Sequence, residues 1–124
     1  MDPIANMFSQ IKNCQKSHKN KLVIPFSGIK IAILEILKND HQISDYKEKE
    51  INNHKKIEIS VDIKNNFNIK RISRPGRRFY LSAKEIPQNK RPNSYYIIST
   101  SQGIMKSGEA MKKGIGGEVI AQIL

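Results

Sequence analysis

Ile57-Glu58-Ile59-Ser60-Val61-Asp62-Ile63-Lys64 alternates apolar and polar residues without interruption, the period-two signature of a strand with one buried and one wet face. Outward from it, a weaker strand is expected over Ile43 to Lys49, and the intervening segment, rich in lysine, glutamate, asparagine and histidine, reads as a surface hairpin loop. Earlier still, Ile29, Ala32, Ile33, Ile36 and Leu37 recur at helical spacing behind Ser27, a good cap, and this helix should end near Asn39 and Asp40. Leu22-Val23-Ile24 reads as a short buried strand stopped by Pro25. At the start, Asp2 suits the cap and Pro3 the first helical position, and Ile4, Met7, Phe8, Ile11 and Cys14 form one apolar stripe. Helix, strand, helix, strand, strand is a complete small α/β layer.

The other direction reads differently. Asn65-Asn66 marks a turn where the first layer should close, so two domains are expected, 1–66 and 67–124. Phe67 to Ile72 and Arg78 to Leu81 are strand-like runs around Arg74-Pro75-Gly76-Arg77, a sequence suited to a type II turn with glycine at the positive φ. Tyr95 to Thr100 is a further strand. Ser107 is placed to cap a short helix from Glu109 to Lys113, with Gly114 as its left-handed stop, and Glu118 to Ile123 returns as a strand. The fold class is therefore α/β (α+β): an α-β-α-β-β layer followed by a mostly β domain with one short helix.

The 124 residues can bury one modest core or two small ones. Lysine plus arginine outnumber aspartate plus glutamate 22 to 11, a formal charge of +11. So much charge on a small surface attracts polyanions. No apolar run approaches the roughly 20 residues of a membrane-spanning helix, and Asp2-Pro3 is unlike the start of a secretory signal. One cysteine, Cys14, cannot form an internal disulfide, which points to a reducing compartment. Heavy use of isoleucine, lysine and asparagine resembles the codon bias of an AT-rich genome, as in an organelle or a reduced bacterium.

Candidate contacts cluster at turns. Arg71, Arg74, Arg77 and Arg78 fall within eight residues; guanidinium groups make bidentate contacts with phosphate and stack on bases, and the plain alternative is a solvated charge run. Ser99-Thr100-Ser101-Gln102-Gly103 follows an apolar strand and offers hydroxyls and open amides to phosphate, ribose or base edges, although a hydroxyl triplet alone is also an ordinary polar turn. Gly114-Ile115-Gly116-Gly117 lacks the Gly-Lys-Ser/Thr ending of a phosphate-cradling loop, and its helix comes before it; Gly116 and Gly117 more naturally let main chain approach another surface closely. Glu118 can accept from a base amine or orient a nearby basic side chain. Lys30 lies in the first turn of a helix, where its charge opposes the dipole. Tyr80 reads as part packing, part interface, and of Tyr95 and Tyr96 one should face the core.

Three segments in fixed order, Arg71-Ile72-Ser73-Arg74-Pro75-Gly76, Ser99-Thr100-Ser101-Gln102-Gly103-Ile104-Met105 and Gly114-Ile115-Gly116-Gly117-Glu118, resemble the universal S-eight family of small-subunit ribosomal proteins. Asp2-Pro3-Ile4-Ala5-Asn6-Met7 resembles the opening helix of that family's bacterial and organellar branch. The resemblance spans nearly the whole chain, apart from Glu48 to Lys56 and Gln88 to Ser94, where Arg91-Pro92-Asn93-Ser94 replaces a glycine-rich step. It implies an RNA site built from Lys12, Asn13 and Lys30, from Ser73, Arg74, Pro75, Gly76, Arg78 and Tyr80, from Ser99, Thr100, Ser101 and Gly103, and from Gly116, Gly117 and Glu118. The implied target is an irregular helix in the central domain of small-subunit ribosomal RNA, bound early in assembly beside neighbouring ribosomal proteins. No cofactor, metal, membrane or small-molecule substrate is implied. The implied location is the ribosome, in an organelle matrix, mitochondrial before plastid, or in a bacterial cytoplasm. A second implied role is repression of the chain's own operon through a messenger that mimics the ribosomal site. Catalysis has little in its favour: His18, His41 and His54 are widely separated, Cys14 lies on an apolar stripe, and the Ser-Thr-Ser segment has no evident base for a hydrolase.

Overall fold

A computed structural model describes residues 2–62, 68–86 and 94–123. Ile63, the expected turn at Asn65-Asn66, the strand start at Phe67 and the altered segment from Gln88 to Asn93 lie outside the described residues. The chain divides into two compact units, Pro3–Phe67 and Asn68–Leu124 with Met1–Asp2.

The N-terminal unit runs α1 (Pro3–Lys16), β1 (Lys21–Pro25), α2 (Gly28–Asn39), β2 (Asp45–Ile51) and β3 (His54–Ser60). Its strands form one antiparallel sheet in the order β1-β3-β2, with the alternating strand at the centre. Met7, Phe8 and Ile11 of α1 are buried, as are Ile33, Leu34 and Leu37 of α2 and Ile57, Ile59 and Val61 in and beside β3. Each fully buried apolar side chain of this size contributes about 1.5–3 kcal/mol. Both helices stop without glycine. His18 (φ 56°) and His41 (φ 62°) take the left-handed conformation. The amides of Lys19 and Gln42 donate back to the carbonyls of Cys14 and Leu37 at 2.9 and 2.8 Å, and those of His18 and His41 to Gln15 and Lys38, the paired bonds of a Schellman stop.

Four expectations for this unit need correction. The buried stripe of α2 is rotated: Ile29 is 52% exposed, while Lys30, Ile33, Leu34 and Leu37 face inward at helical spacing. β1 is not buried on both sides, because it is an edge strand with one covered face; Ile24 is buried and Val23 is 46% exposed. The lysine- and glutamate-rich segment is not a loop but the arms of β2 and β3, joined by Asn52-Asn53 alone, both at positive φ (51° and 64°) as a type I′ turn requires. Glu58, assigned to the wet face, is only 7% exposed.

The C-terminal unit contains β4 (Ile69–Arg71), β5 (Tyr80–Leu81), a 3-10 turn (Ala83–Glu85), β6 (Tyr95–Thr100), β7 (Gly103–Lys106), α3 (Ser107–Lys113) and β8 (Gly117–Ile123). The sheet order is β4-β8-β6-β7, with β5 also beside β8 and every pair antiparallel. Ile86, Ile98, Met105, Ala110 and Val119 form one core cluster of this unit, packed against Ile72, Leu81, Tyr96 and Ile115, and Ile69, Ile97, Ala121 and Ile123 are buried as well. β7 was not expected; it exists because Gly103 (φ 113°) turns the chain back along β6. Gly114 (φ 69°) is the left-handed stop of α3. Ser107 is not the cap: it is the first helical residue, buried, and its hydroxyl accepts from the Tyr96 N–H at 3.1 Å. Gly76 is not at positive φ, so the type II turn is not formed. Arg74 and Arg77 instead exchange both amide–carbonyl bonds, at 3.0 and 2.9 Å, a closure that Pro75 permits because its φ suits more than one turn type.

Candidate nucleic-acid interface

The arginine-rich hairpin is held from below by one serine. Ser73 is fully buried, its Oγ accepts from the Phe79 N–H at 2.8 Å and donates to the Phe79 carbonyl at 3.2 Å. The same carbonyl accepts from the Val119 N–H at 2.9 Å. Between these fixed points Arg74, Pro75, Gly76, Arg77 and Arg78 are all exposed. Ser73 was expected to touch RNA; with its hydroxyl turned inward it positions the hairpin instead. Arg71 is structural too: its Nε donates to Asp2 at 3.1 Å and its Nη1 to the Ile120 carbonyl at 2.6 Å. That carbonyl belongs to the residue left over where β8 slips against β6, between the pairs Ile97↔Ala121 and Ile98↔Val119, so the guanidinium serves an acceptor at a bulge.

Three strands bring distant residues into one row. Tyr80 of β5 pairs with Glu118 of β8, and Glu118 pairs with Ser99 of β6. Directly paired residues share a sheet face, on strands ~4.8 Å apart. Arg78 joins this row, because its Nη1 donates to both Glu118 oxygens at 3.0 and 3.2 Å. The carboxylate raises the guanidinium pKa further above its ordinary value, and it fixes the direction of an exposed cation. Tyr80 is 64% exposed and Phe79 49%. Sequence reasoning passed over Phe79; its signal, an aromatic between Arg78 and Tyr80 just ahead of a two-residue strand, was visible but not distinguishable from a core residue.

At the neighbouring turn Ser101, Gln102 and Gly103 are exposed. Thr100 is committed to the turn itself, donating to the Gly103 carbonyl at 2.7 Å and accepting from the Gln102 N–H at 3.1 Å. The hydroxyl triplet is therefore three different groups: Ser99 in the row, Thr100 as a brace, Ser101 outward. Gly116 and Gly117 are also internal. A β-carbon on Gly116 would lie 2.7 Å from the Ser82 Cα and against the Leu81 carbonyl; one on Gly117 would meet the Ser99 carbonyl group, 2.9 Å from its carbon. The close approach expected of these glycines is to the chain's own β5 and β6, which lets β8 sit between them.

In the N-terminal unit, Lys12 and Asn13 lie on α1, half-buried and exposed respectively. Lys30 does not fit a direct phosphate contact. It is 7% exposed, its Nζ donates to the Pro25 carbonyl at 3.2 Å, and burial, with Lys56 nearby, lowers its pKa. Among the described residues no group of His, Cys, Asp and Glu could hold a metal ion, and no helix is long and apolar enough to cross a membrane.

The arrangement offers exposed guanidinium groups, one fixed by a carboxylate, two exposed aromatics and an open serine turn. That combination can bind phosphate, stack on bases and hydrogen-bond a folded RNA surface. The family model described as ribosomal protein S8 matches residues 2–124. The chain is similar to the small ribosomal subunit protein uS8 of Mycoplasmopsis pulmonis, 44% identical over 126 residues (98% of this chain and 96% of the relative). It is 42% identical to that of Geobacillus kaustophilus over 127 residues (98% and 96%), and 39% identical to that of Kosmotoga olearia over 130 residues (98% and 97%).

Proposed function

The chain belongs to the ribosomal protein S8 family, of bacterial type, and on that premise we propose that it binds an irregular helix in the central domain of small-subunit ribosomal RNA. It is a structural component of the small ribosomal subunit, and the family is not one of enzymes. The hydrolase reading of the Ser-Thr-Ser segment is therefore set aside.

The observation that carries the RNA reading is the row of Tyr80, Glu118 and Ser99 with Arg78 held at 3.0 Å from Glu118. An A-form duplex keeps its major-groove base edges in a deep, narrow groove that side chains cannot read, so specificity has to come from distorted or splayed nucleotides. A rigid row of mixed donors, acceptors and an aromatic suits such a surface. The excess of 22 basic over 11 acidic residues supplies the sequence-independent part of the affinity through counterion release. Arg74 and Arg78 contact phosphate in this reading, Ser101 and Gly103 meet ribose or base edges, and Lys12 and Asn13 add contacts from α1. Ser73, Thr100, Gly116 and Gly117 hold the surface in shape.

The test is a binding titration against the central-domain helix and a scrambled duplex of equal length at several salt concentrations. The native helix should stay bound at salt that releases the scrambled one. Ser101→Ala should weaken native binding by about 1 kcal/mol or more with the fold intact. Lys12→Ala should weaken both RNAs alike and lower the salt slope by roughly 0.7–0.9. Equal binding to both RNAs, lost together as salt rises, would leave only a generic basic surface.

A further inference from the structure

The N-terminal unit carries a basic sheet face that the C-terminal row does not explain. Residues paired directly across its strands share a face. On the outer face lie Lys21, Ser60 and Asp45, then Val23, Glu58 and Lys47, then Pro25, Lys56 and Lys49. Glu58 sits at the centre, its side chain 9% exposed, while the ammonium groups of Lys49, Lys47 and Lys21 surround it at 2.9, 3.5 and 3.8 Å. Those lysine side chains remain 48%, 63% and 62% exposed. Hydrogen bonding from Lys49, with the charges of the other two, holds the Glu58 carboxyl below its ordinary pKa, so it stays ionised at neutral pH. Three cations less one anion leave two positive charges in one spot, and Lys56 adds a third. Asp45, at the corner, is already paired with Lys38 at 3.1 Å and does not offset the cluster.

One lysine would suffice to satisfy one carboxylate, and exposed ion pairs contribute little to stability. Three lysines drawn to a buried carboxylate instead make a positive spot of fixed position with accessible heads. We propose that this sheet face is a second phosphate-binding surface, occupied by the backbone of a double-helical RNA segment. The proposal rests on the rRNA-binding reading above and assigns it a contact on the N-terminal unit. Charge complementarity selects a polyanion. Lysines, as flexible point charges, suit phosphates without reading sequence. The same face ends at the pair Ile51 and His54; it carries no guanidinium, Phe, Tyr or Trp, and its apolar residues, Val23, Pro25 and Ile51, stand on the two edge strands around a charged centre, unlike the apolar centre of a protein interface.

The experiment uses the full chain and two probes, a transcript of the central domain of small-subunit ribosomal RNA and a scrambled duplex, titrated over a range of salt. The double variant Lys47→Gln, Lys49→Gln should weaken binding to both probes by the same factor and reduce the salt slope by roughly 1.4–1.8, as for two lost phosphate contacts. Ser101→Ala in the same titration should leave the slope unchanged. Lys56→Gln, which leaves the Glu58 cluster whole, should lower the slope by roughly 0.7–0.9 and serves if the double variant fails to fold. Unchanged slopes for both lysine variants, with wild-type preference for the native RNA retained, would overturn the sheet face and leave the rRNA reading standing. Loss of that wild-type preference would overturn the rRNA reading instead, while the lysine slopes are still read on the duplex. Variants that bind both RNAs normally but fail to enter assembling subunits would also overturn the proposal, in favour of an acidic protein neighbour.

Discussion

Replacing Ser73 by alanine removes two hydrogen bonds at once and separates a structural from a direct role for this residue. The Phe79 carbonyl keeps its bond from the Val119 N–H at 2.9 Å, so losing the 3.2 Å bond from the serine hydroxyl costs little there. The Phe79 N–H loses its 2.8 Å acceptor. A buried donor left unsatisfied costs about 1–3 kcal/mol, and the half-exposure of Phe79 admits some water, which sets the expectation for Ser73→Ala at about 1–2 kcal/mol. With a urea m-value of about 2 kcal/mol/M, ordinary for a small protein, the unfolding midpoint should fall by roughly 0.5–1 M. RNA affinity should fall as well, because the hairpin carrying Arg74 to Tyr80 loses its clamp. The assay is urea unfolding followed by circular dichroism, beside an RNA titration of the same protein. A lower RNA affinity with an unchanged midpoint would refute the buried clamp and place the hydroxyl at the RNA.

Gly117→Ala and Gly116→Ala should each destabilise by about 1–3 kcal/mol, the usual cost of overpacking, since the added carbon meets backbone of β6 or β5; Gly28→Ala, with nothing within 4 Å, is the control, and a neutral Gly117→Ala would contradict the close approach. Phe79→Ala should leave the urea midpoint nearly unchanged and weaken cognate RNA by about 1–3 kcal/mol, the value of one base stacked on an aromatic; full affinity in that variant would remove Phe79 from the interface. Glu58 has a folded pKa below its ordinary 4.5, so its stabilising contribution is complete above that value and is lost as pH falls through the lower folded one. Urea midpoints measured from pH 7 down to acid should therefore decline less steeply in Glu58→Gln than in wild type, and parallel curves would show that the carboxylate contributes nothing.

Local signals in the chain were enough for most elements. The alternation from Ile57 and the spacing from Ile4 to Ile11 are each set by a period of two or 3.6 residues, and the structure has β3 and α1 there. Gly114 was legible as a stop because a left-handed residue after a short amphipathic run favours glycine. His18 and His41, doing the same work at φ 56° and 62°, were not, since histidine carries no such signal. Asn52-Asn53 was hidden by its charged surroundings, although two consecutive asparagines suit a type I′ turn.

The sequence by itself determined the fold class, the charge that selects a polyanion and the order of motifs that marks the family, because period, composition and spacing are properties of neighbouring residues. Only the tertiary structure decided which polar side chains face outward. Ser73 and Ser101 both stand in turn motifs, yet one is sealed under Phe79 and the other is open. Lys30 is turned in toward Pro25, and Glu58 lies beneath three lysines, all on the two strands flanking its own in the sheet. Burial depends on partners 5 to 40 positions away that meet only once the tertiary structure has formed, and no local pattern in the chain encodes that distance.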